Sequence, residues 1–331
     1  MFRHGKQQRL RLANREMAMD YVPIRVSTLR GDQAIDFDAY IKINDKYILY
    51  VHQGDSFEGQ RLKRLKSKKL KKMFILQQAE TNYRSYLQRN IEMAYDRGSG
   101  KSLETRAEII QGNQQSNAEA VMENPENEVI YNETKDAAGK FVQFIDQEGT
   151  ESVSRVLSID NVDHNIAHHG VTVSTLAIAL AKKLNITDPK MTQLLSLGAL
   201  LHDFEHFHNG LSLARPLDQF SKQELALYKT HPLVGAQKVQ DKKHFDQTVL
   251  NIIAQHEEYV DGKGFPSGLI ESKMDPMAVV VASCNALDRL MTFEGVPKKE
   301  AVRRLLISGV GKYPLNHIQS LGDVMNSLQL P

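Results

Sequence analysis

Cysteine is nearly missing from this chain: one residue, Cys284, among 331 excludes an intrachain disulfide framework. It stands in the apolar run Val279-Val280-Val281-Ala282-Ser283-Cys284, where buried packing is expected rather than a nucleophile. No stretch of roughly 18 consecutive apolar residues occurs, so no segment reads as a membrane-spanning helix. The basic start Met1-Phe2-Arg3-His4-Gly5-Lys6 has no apolar region behind it to form a secretory signal, and a soluble cytoplasmic protein is expected. Charge of one sign is lacking too. The 42 basic and 40 acidic residues leave +2, no global reason to expect DNA or RNA as a partner. No repeat of fixed period is apparent, which argues against a repeat architecture. Histidine is scarce in the first half: ten of the twelve lie from His164 onward, so any imidazole chemistry belongs to the second half.

What is present suggests two domains and a connector, since 331 residues exceed what one core usually fills. Residues 1–76 read as a small α+β domain. Ile35, Phe37, Ala39, Ile41 and Ile43 alternate, Asn44-Asp45 turns the chain, and Tyr47, Leu49 and Val51 alternate again, the pattern of a β-hairpin. From Gln60 to Lys72, Leu62, Leu65 and Met73 are spaced for one helix face among eight lysines and arginines. A solvated face is preferred there over a site for an anionic partner, because no aromatic residues interleave to stack on bases.

Residues 77–150 read as a helical connector, with Tyr83, Leu87, Ile91 and Ala94, then Ala138, Phe141, Val142 and Ile145, at helical spacing. Breaks fall at Asp96–Gly100 and Asn124-Pro125-Glu126-Asn127, and the polar run Gln111–Glu119 is expected to be mobile. Gly100-Lys101-Ser102 resembles the end of a phosphate-binding loop. The leading glycine of that motif is Tyr95 here, however, and a helix rather than a strand precedes it, so the motif is rejected. Residues 151–331 read as an all-α domain: Val173, Leu176, Ala177, Leu180 and Leu184 mark one helix, and the run Leu194–Leu201 a buried one. That run ends in His202-Asp203. A buried helix end holds two polar groups in fixed positions, and an ionised Asp203 there needs a metal or another partner.

A single His-Asp pair is a weak signal. His169, His202, Asp203, His231 and His256 together supply imidazole and carboxylate without thiolate, a set suited to iron, manganese or zinc. These residues resemble those of the HD-GYP domains, HD-type metal-dependent phosphohydrolases that hydrolyse cyclic di-GMP. The resemblance covers roughly residues 160–310. It rests on His169-Gly170-Val171-Thr172-Val173, on Leu200-Leu201-His202-Asp203, on Thr230-His231-Pro232-Leu233-Val234-Gly235-Ala236, and on His256-Glu257-Glu258 leading into Asp261-Gly262-Lys263-Gly264-Phe265-Pro266-Ser267-Gly268. It implies a small α+β domain followed by an all-α HD-type domain. It also implies a centre of two or three divalent ions, usually iron or manganese, with Asp203 bridging and His169, His202, His231 and His256 as terminal ligands. A water held between the ions would be the nucleophile.

Departures from the family pattern shape the rest of the expectation. The GYP tyrosine is Phe265, so a hydroxyl is gone. The second histidine of the His-His-Glu run is Glu257, which brings a negative charge. The lysine expected three residues after Asp203 is His206, a donor only in a pH-dependent way. Asn165 and Asn285 stand where the family has a glutamate and an aspartate; losing both anions favours two metals over three. The resemblance thus assigns catalysis to Asp203 and His206, and substrate contacts to Arg215, Gly264 and Phe265, with Arg215 alternatively pairing with Asp218. Metal binding falls to His169, His202, Asp203, His231 and His256, with Glu257 and Asn285 as further candidates. His168 and His208 are expected to be exposed or supporting rather than coordinating, and Gly262, Gly264 and Gly268 to shape a tight loop. Three functions stay open: a cyclic di-GMP phosphodiesterase, an impaired member that binds the dinucleotide or a signalling protein, and a phosphohydrolase for another nucleotide. A homodimer is also open.

Overall fold

The computed structural model describes residues 20–58, 60–159 and 164–328; the basic start of the chain lies outside them. Two compact units divide at Asn90 and Ile91. In the first, strands β1 (Tyr21–Arg25), β2 (Ala39–Ile43), β3 (Lys46–Val51) and β4 (Lys72–Leu76) form an antiparallel sheet of order β1-β4-β2-β3. The expected hairpin is β2–β3. Asn44 and Asp45 turn it with positive φ of 47° and 62°, conformations that their short polar side chains tolerate. Ile24, Met73 and Ile75 on the strands bury against Ile35, Phe37, Phe57, Leu65 and Tyr86. The basic helix is shorter than expected: α1 covers Arg61–Ser67, Lys69 adopts φ 57°, and Met73 lies in β4. Met73 and Ile75 are two apart and both buried, so a period of two, not of 3.6, places them.

Helix α2 (Glu80–Tyr95) carries the chain from the first unit into the second. Helices α3 (Leu103–Glu123), α4 (Glu128–Glu148), α5 (Thr150–Leu157), α6 (Ile166–Lys183), α7 (Pro189–Leu201), α8 (His206–Asn209), α9 (Lys222–Val239), α10 (Gln247–Gln255), α11 (Pro276–Asp288), α12 (Lys298–Ser308) and α13 (Leu315–Ser327) follow. A π-turn at Arg289–Phe293 continues α11. Side-chain caps start several of these helices: Ser102, Asn127, Asn165, Asp188, Ser221 and Asp275 each accept a backbone N–H of the first turn. Ser102 is therefore a helix cap, consistent with rejecting the phosphate loop.

The run Gln111–Glu119, expected to be mobile, is instead an ordered and largely buried part of α3. Gln111 donates to His168 Nδ1 at 3.0 Å and to Gln115 at 3.3 Å, Gln115 donates to Glu119, and Asn165 donates to the same Glu119 oxygen at 3.0 Å. Polar side chains can line a helix interface when each finds a partner, which composition alone does not reveal.

Helices α6 and α7 are the centre of the helical core and place the site. Nearly every residue of α6 is buried, and Gly170 brings it against the end of α7: a Cβ there would lie 2.5 Å from the Leu200 carbonyl oxygen. Only glycine permits that approach, and it sets His169 beside His202-Asp203. Cys284 is buried on α11, its thiol pKa pushed up by burial.

Candidate metal centre

Four elements deliver the histidines. His169 sits in the first turn of α6, His202 and Asp203 follow α7, His231 lies within α9 before Pro232, and His256 ends α10. All five side chains are buried, and they converge. Asp203 Oδ2 lies 3.6 Å from both His169 Nε2 and His202 Nε2, while Oδ1 lies 3.3 Å from His231 Nε2 and 3.4 Å from His256 Nε2. The carboxylate faces a pair of imidazoles with each oxygen, giving two groups of donors that share Asp203.

The other ring nitrogen of each histidine settles the chemistry. Nδ1–H of His202 donates to the Ala199 carbonyl at 2.8 Å, that of His231 to the Tyr228 carbonyl at 2.6 Å, and that of His256 to the Ile253 carbonyl at 3.0 Å. His169 Nδ1 is tied to Asp288 at 2.5 Å. With Nδ1 as the donor, each Nε2 turns a lone pair toward Asp203, the tautomer a metal ligand requires. Two consequences fit a cation. His202 Nε2 is buried and has no hydrogen-bond partner among the described residues, and the Nε2 atoms of His231 and His256 stand 2.8 Å apart. Ligands at about 2.0–2.1 Å from one ion are naturally that close; two lone pairs without an ion repel.

Titration follows from this crowding. Burial lowers the His202 pKa to about 3; the Asp203 charge opposes that fall, and His256 and His169 add to it. Burial would raise the pKa of Asp203, but the surrounding imidazoles outweigh it and hold the carboxyl well below its usual range. The His256 pKa is lowered by burial but raised on balance by Asp203. A buried anion ringed by imidazoles suggests a divalent metal.

The remaining expected residues divide by position. Asn285 Oδ1 is 3.1 Å from His169 Nε2, its Nδ2 donating to Glu257 at 3.2 Å, so that oxygen turns toward the same space. Glu257 Oε1 accepts that bond and the Tyr228 hydroxyl, and Glu257 stands beside the two donor groups rather than in either. His206 is buried between Tyr228 and His231, with ring centroids at 5.4 Å and 4.0 Å; burial pushes its pKa well down. Phe265 packs its ring against Tyr228 at 5.8 Å, and Gly264 lies so tightly on the chain that a Cβ would be 2.2 Å from Tyr259 N. Arg215 pairs with Glu224, not Asp218, and stacks on Phe220. Asn165 caps α6 and binds Glu119. His168 is buried rather than exposed, tied to Gln111 and the Ile159 carbonyl, while His208 is exposed.

Four site residues escaped the sequence reading. Asp288 lies three residues after Asn285, on the same helix face, a spacing that could have found it. Glu258 accepts Ser267 N–H at 2.6 Å and Leu269 N–H at 3.0 Å and so pins the Gly264-Phe265 loop; its place in the His-Glu-Glu run was the available signal. Tyr228 and Arg289 gave none, because a buried aromatic or a helix arginine reads as packing or surface.

Comparison with known proteins agrees with this arrangement. Residues 151–305 match the model of the HD domain family. The solved structure of Bd1817, a HDG"Y"P protein from Bdellovibrio bacteriovorus, is 65% identical with a TM-score of 0.89, covering 93% of this chain and all of that one. A helical domain with a buried His/Asp cluster defines the class of HD-domain proteins; the chain belongs to its HD-GYP family, with Gly264-Phe265-Pro266 at the signature. Two curated relatives are cyclic di-GMP phosphodiesterase PA4108 of Pseudomonas aeruginosa, 27% identical over 46% of this chain and 41% of its own length, and cyclic di-GMP phosphodiesterase PdeB of Borreliella burgdorferi, 21% identical over 47% and 45%. The chain thus spans less than half the length of these relatives. Among the described residues no helix is long and apolar enough to cross a membrane.

Proposed function

We propose that this protein is a metal-dependent phosphodiesterase of cyclic di-GMP signalling, in which Asp203 would be shared between two divalent ions, His169 and His202 would hold one and His231 and His256 the other. The observation that carries this reading is the division of Asp203, each oxygen facing two Nε2 lone pairs. The names of the curated relatives support the dinucleotide as substrate. Imidazole and carboxylate donors without thiolate suit iron, manganese or zinc, and the resemblance to the HD-GYP domains puts iron first and manganese second. Two such ions supply Lewis acidity and an activated water for in-line attack on a phosphodiester.

The chain's own task is positioning. Asp288 holds the His169 ring, three helix carbonyls hold the other imidazoles, and Glu258 fixes the loop that carries Phe265 against the site. Asn285 is a further, weaker ligand. A second reading, an impaired member that binds the dinucleotide or a protein and reports it, is favoured by His206 in place of a lysine, by Glu257 and by the hydroxyl missing at Phe265. Incubating iron-loaded and manganese-loaded protein with cyclic di-GMP, beside Asp203→Ala, separates the two. A linear product lost in the variant supports the enzyme; intact dinucleotide despite full metal loading supports the binder.

A further inference from the structure

Arg289 is a buried cation with an unpartnered guanidinium nitrogen. It opens the π-turn after α11 and is 7% exposed, and its Nη2 is buried with no hydrogen-bond partner among the described residues. Burying a guanidinium nitrogen unmatched is costly. Cζ lies 4.9 Å from the Tyr228 ring centroid and 5.7 Å from that of Phe293, and although burial works against its charge, Tyr228, Glu257, Asp203 and Glu294 hold it protonated. Those rings reach both halves of the candidate centre, Tyr228 at 5.0 Å from His231 and Phe293 at 4.9 Å from His169. Asn285, Asp288 and Arg289 stand at i, i+3 and i+4, one helical face, and the first two already contact His169. The π-turn continues that face, a geometry frequent at functional sites.

The other cations expected near substrate do not serve. His206 is buried against Tyr228 and His231, and Arg215 is engaged by Glu224 and Phe220. We infer that Arg289 binds a phosphoryl oxygen of the substrate at the metal centre, supplying a positive charge from the π-turn. The inference rests on the function proposed above. The planar fork, held between two rings, suits paired hydrogen bonds to an oxyanion.

The test is calorimetric titration of the metal-loaded full chain with inorganic phosphate and, separately, cyclic di-GMP, in wild type, Arg289→Met and Arg289→Lys, with metal content measured for each. Loss of a charged hydrogen-bond donor is expected to weaken both ligands about 10- to 100-fold in the methionine variant at unchanged metal content. Lysine, which keeps the charge but not the fork, is expected to fall between. Wild-type affinity in both variants overturns the inference and leaves the proposed function standing. So does loss of metal in both, which would make Arg289 a charge-balancing residue. If the methionine variant does not fold, the lysine variant decides: weakened phosphate binding supports the inference and undiminished binding overturns it. Phosphate binding that depends on Arg289, in a protein that neither binds nor cleaves cyclic di-GMP, supports Arg289 and sinks the dinucleotide reading. A metal-loaded wild type that binds neither ligand overturns both.

Discussion

A histidine becomes a metal ligand through what its other nitrogen does. At His202 and His231 that nitrogen donates to the carbonyl three residues earlier in its own helix, and at His256 it does the same at the helix end. No residue elsewhere has to be recruited to fix those tautomers. His169 is the exception, since it depends on Asp288 from another helix. Asp288→Ala should therefore lower metal affinity by roughly 10- to 100-fold, read by competition with a chelator, while Asp203→Ala should abolish retention, read by elemental analysis. The ligands themselves were legible because five metal-type residues stood at family spacing. Their supports were not: Tyr228 and Arg289 act through contacts that join residues tens of positions apart, and neither has a local sequence pattern.

Element by element, periodicity was reliable where burial was one-sided or complete. The Leu194–Leu201 run lies in α7, and the alternation became the β2–β3 hairpin from Ala39 to Val51, with Ile35 and Phe37 buried ahead of the strand. It failed at Lys72–Leu76, where a short strand follows a basic helix and Met73 falls at helical spacing from Leu62 and Leu65. It failed also at Gln111–Glu119, because satisfied polar packing resembles a linker by composition. Close helix approach yields a prediction of its own. Gly170→Ala would push α6 from the Leu200 carbonyl, an overpacking expected to cost about 1–3 kcal/mol. A urea midpoint unchanged from wild type would contradict the packing described. Glu258→Ala should free the loop it pins, seen as faster amide exchange at Ser267 and Leu269.

At the scale of the molecule, two separate cores divide the labour. The sheet unit buries its own residues, and all the candidate ligands belong to the unit from Ile91 onward. A chain starting at residue 91 is expected to match the metal content of the full protein; an empty fragment that is otherwise folded by circular dichroism would show that the site depends on the first unit. The central claim concerns catalysis, and one measurement reaches it most directly: product analysis after anaerobic incubation of fully metal-loaded protein with cyclic di-GMP, beside Asp203→Ala. The account predicts a linear dinucleotide or mononucleotide from wild type and none from the variant. Unchanged cyclic di-GMP with two ions bound per chain, or equal product from both proteins, would contradict it.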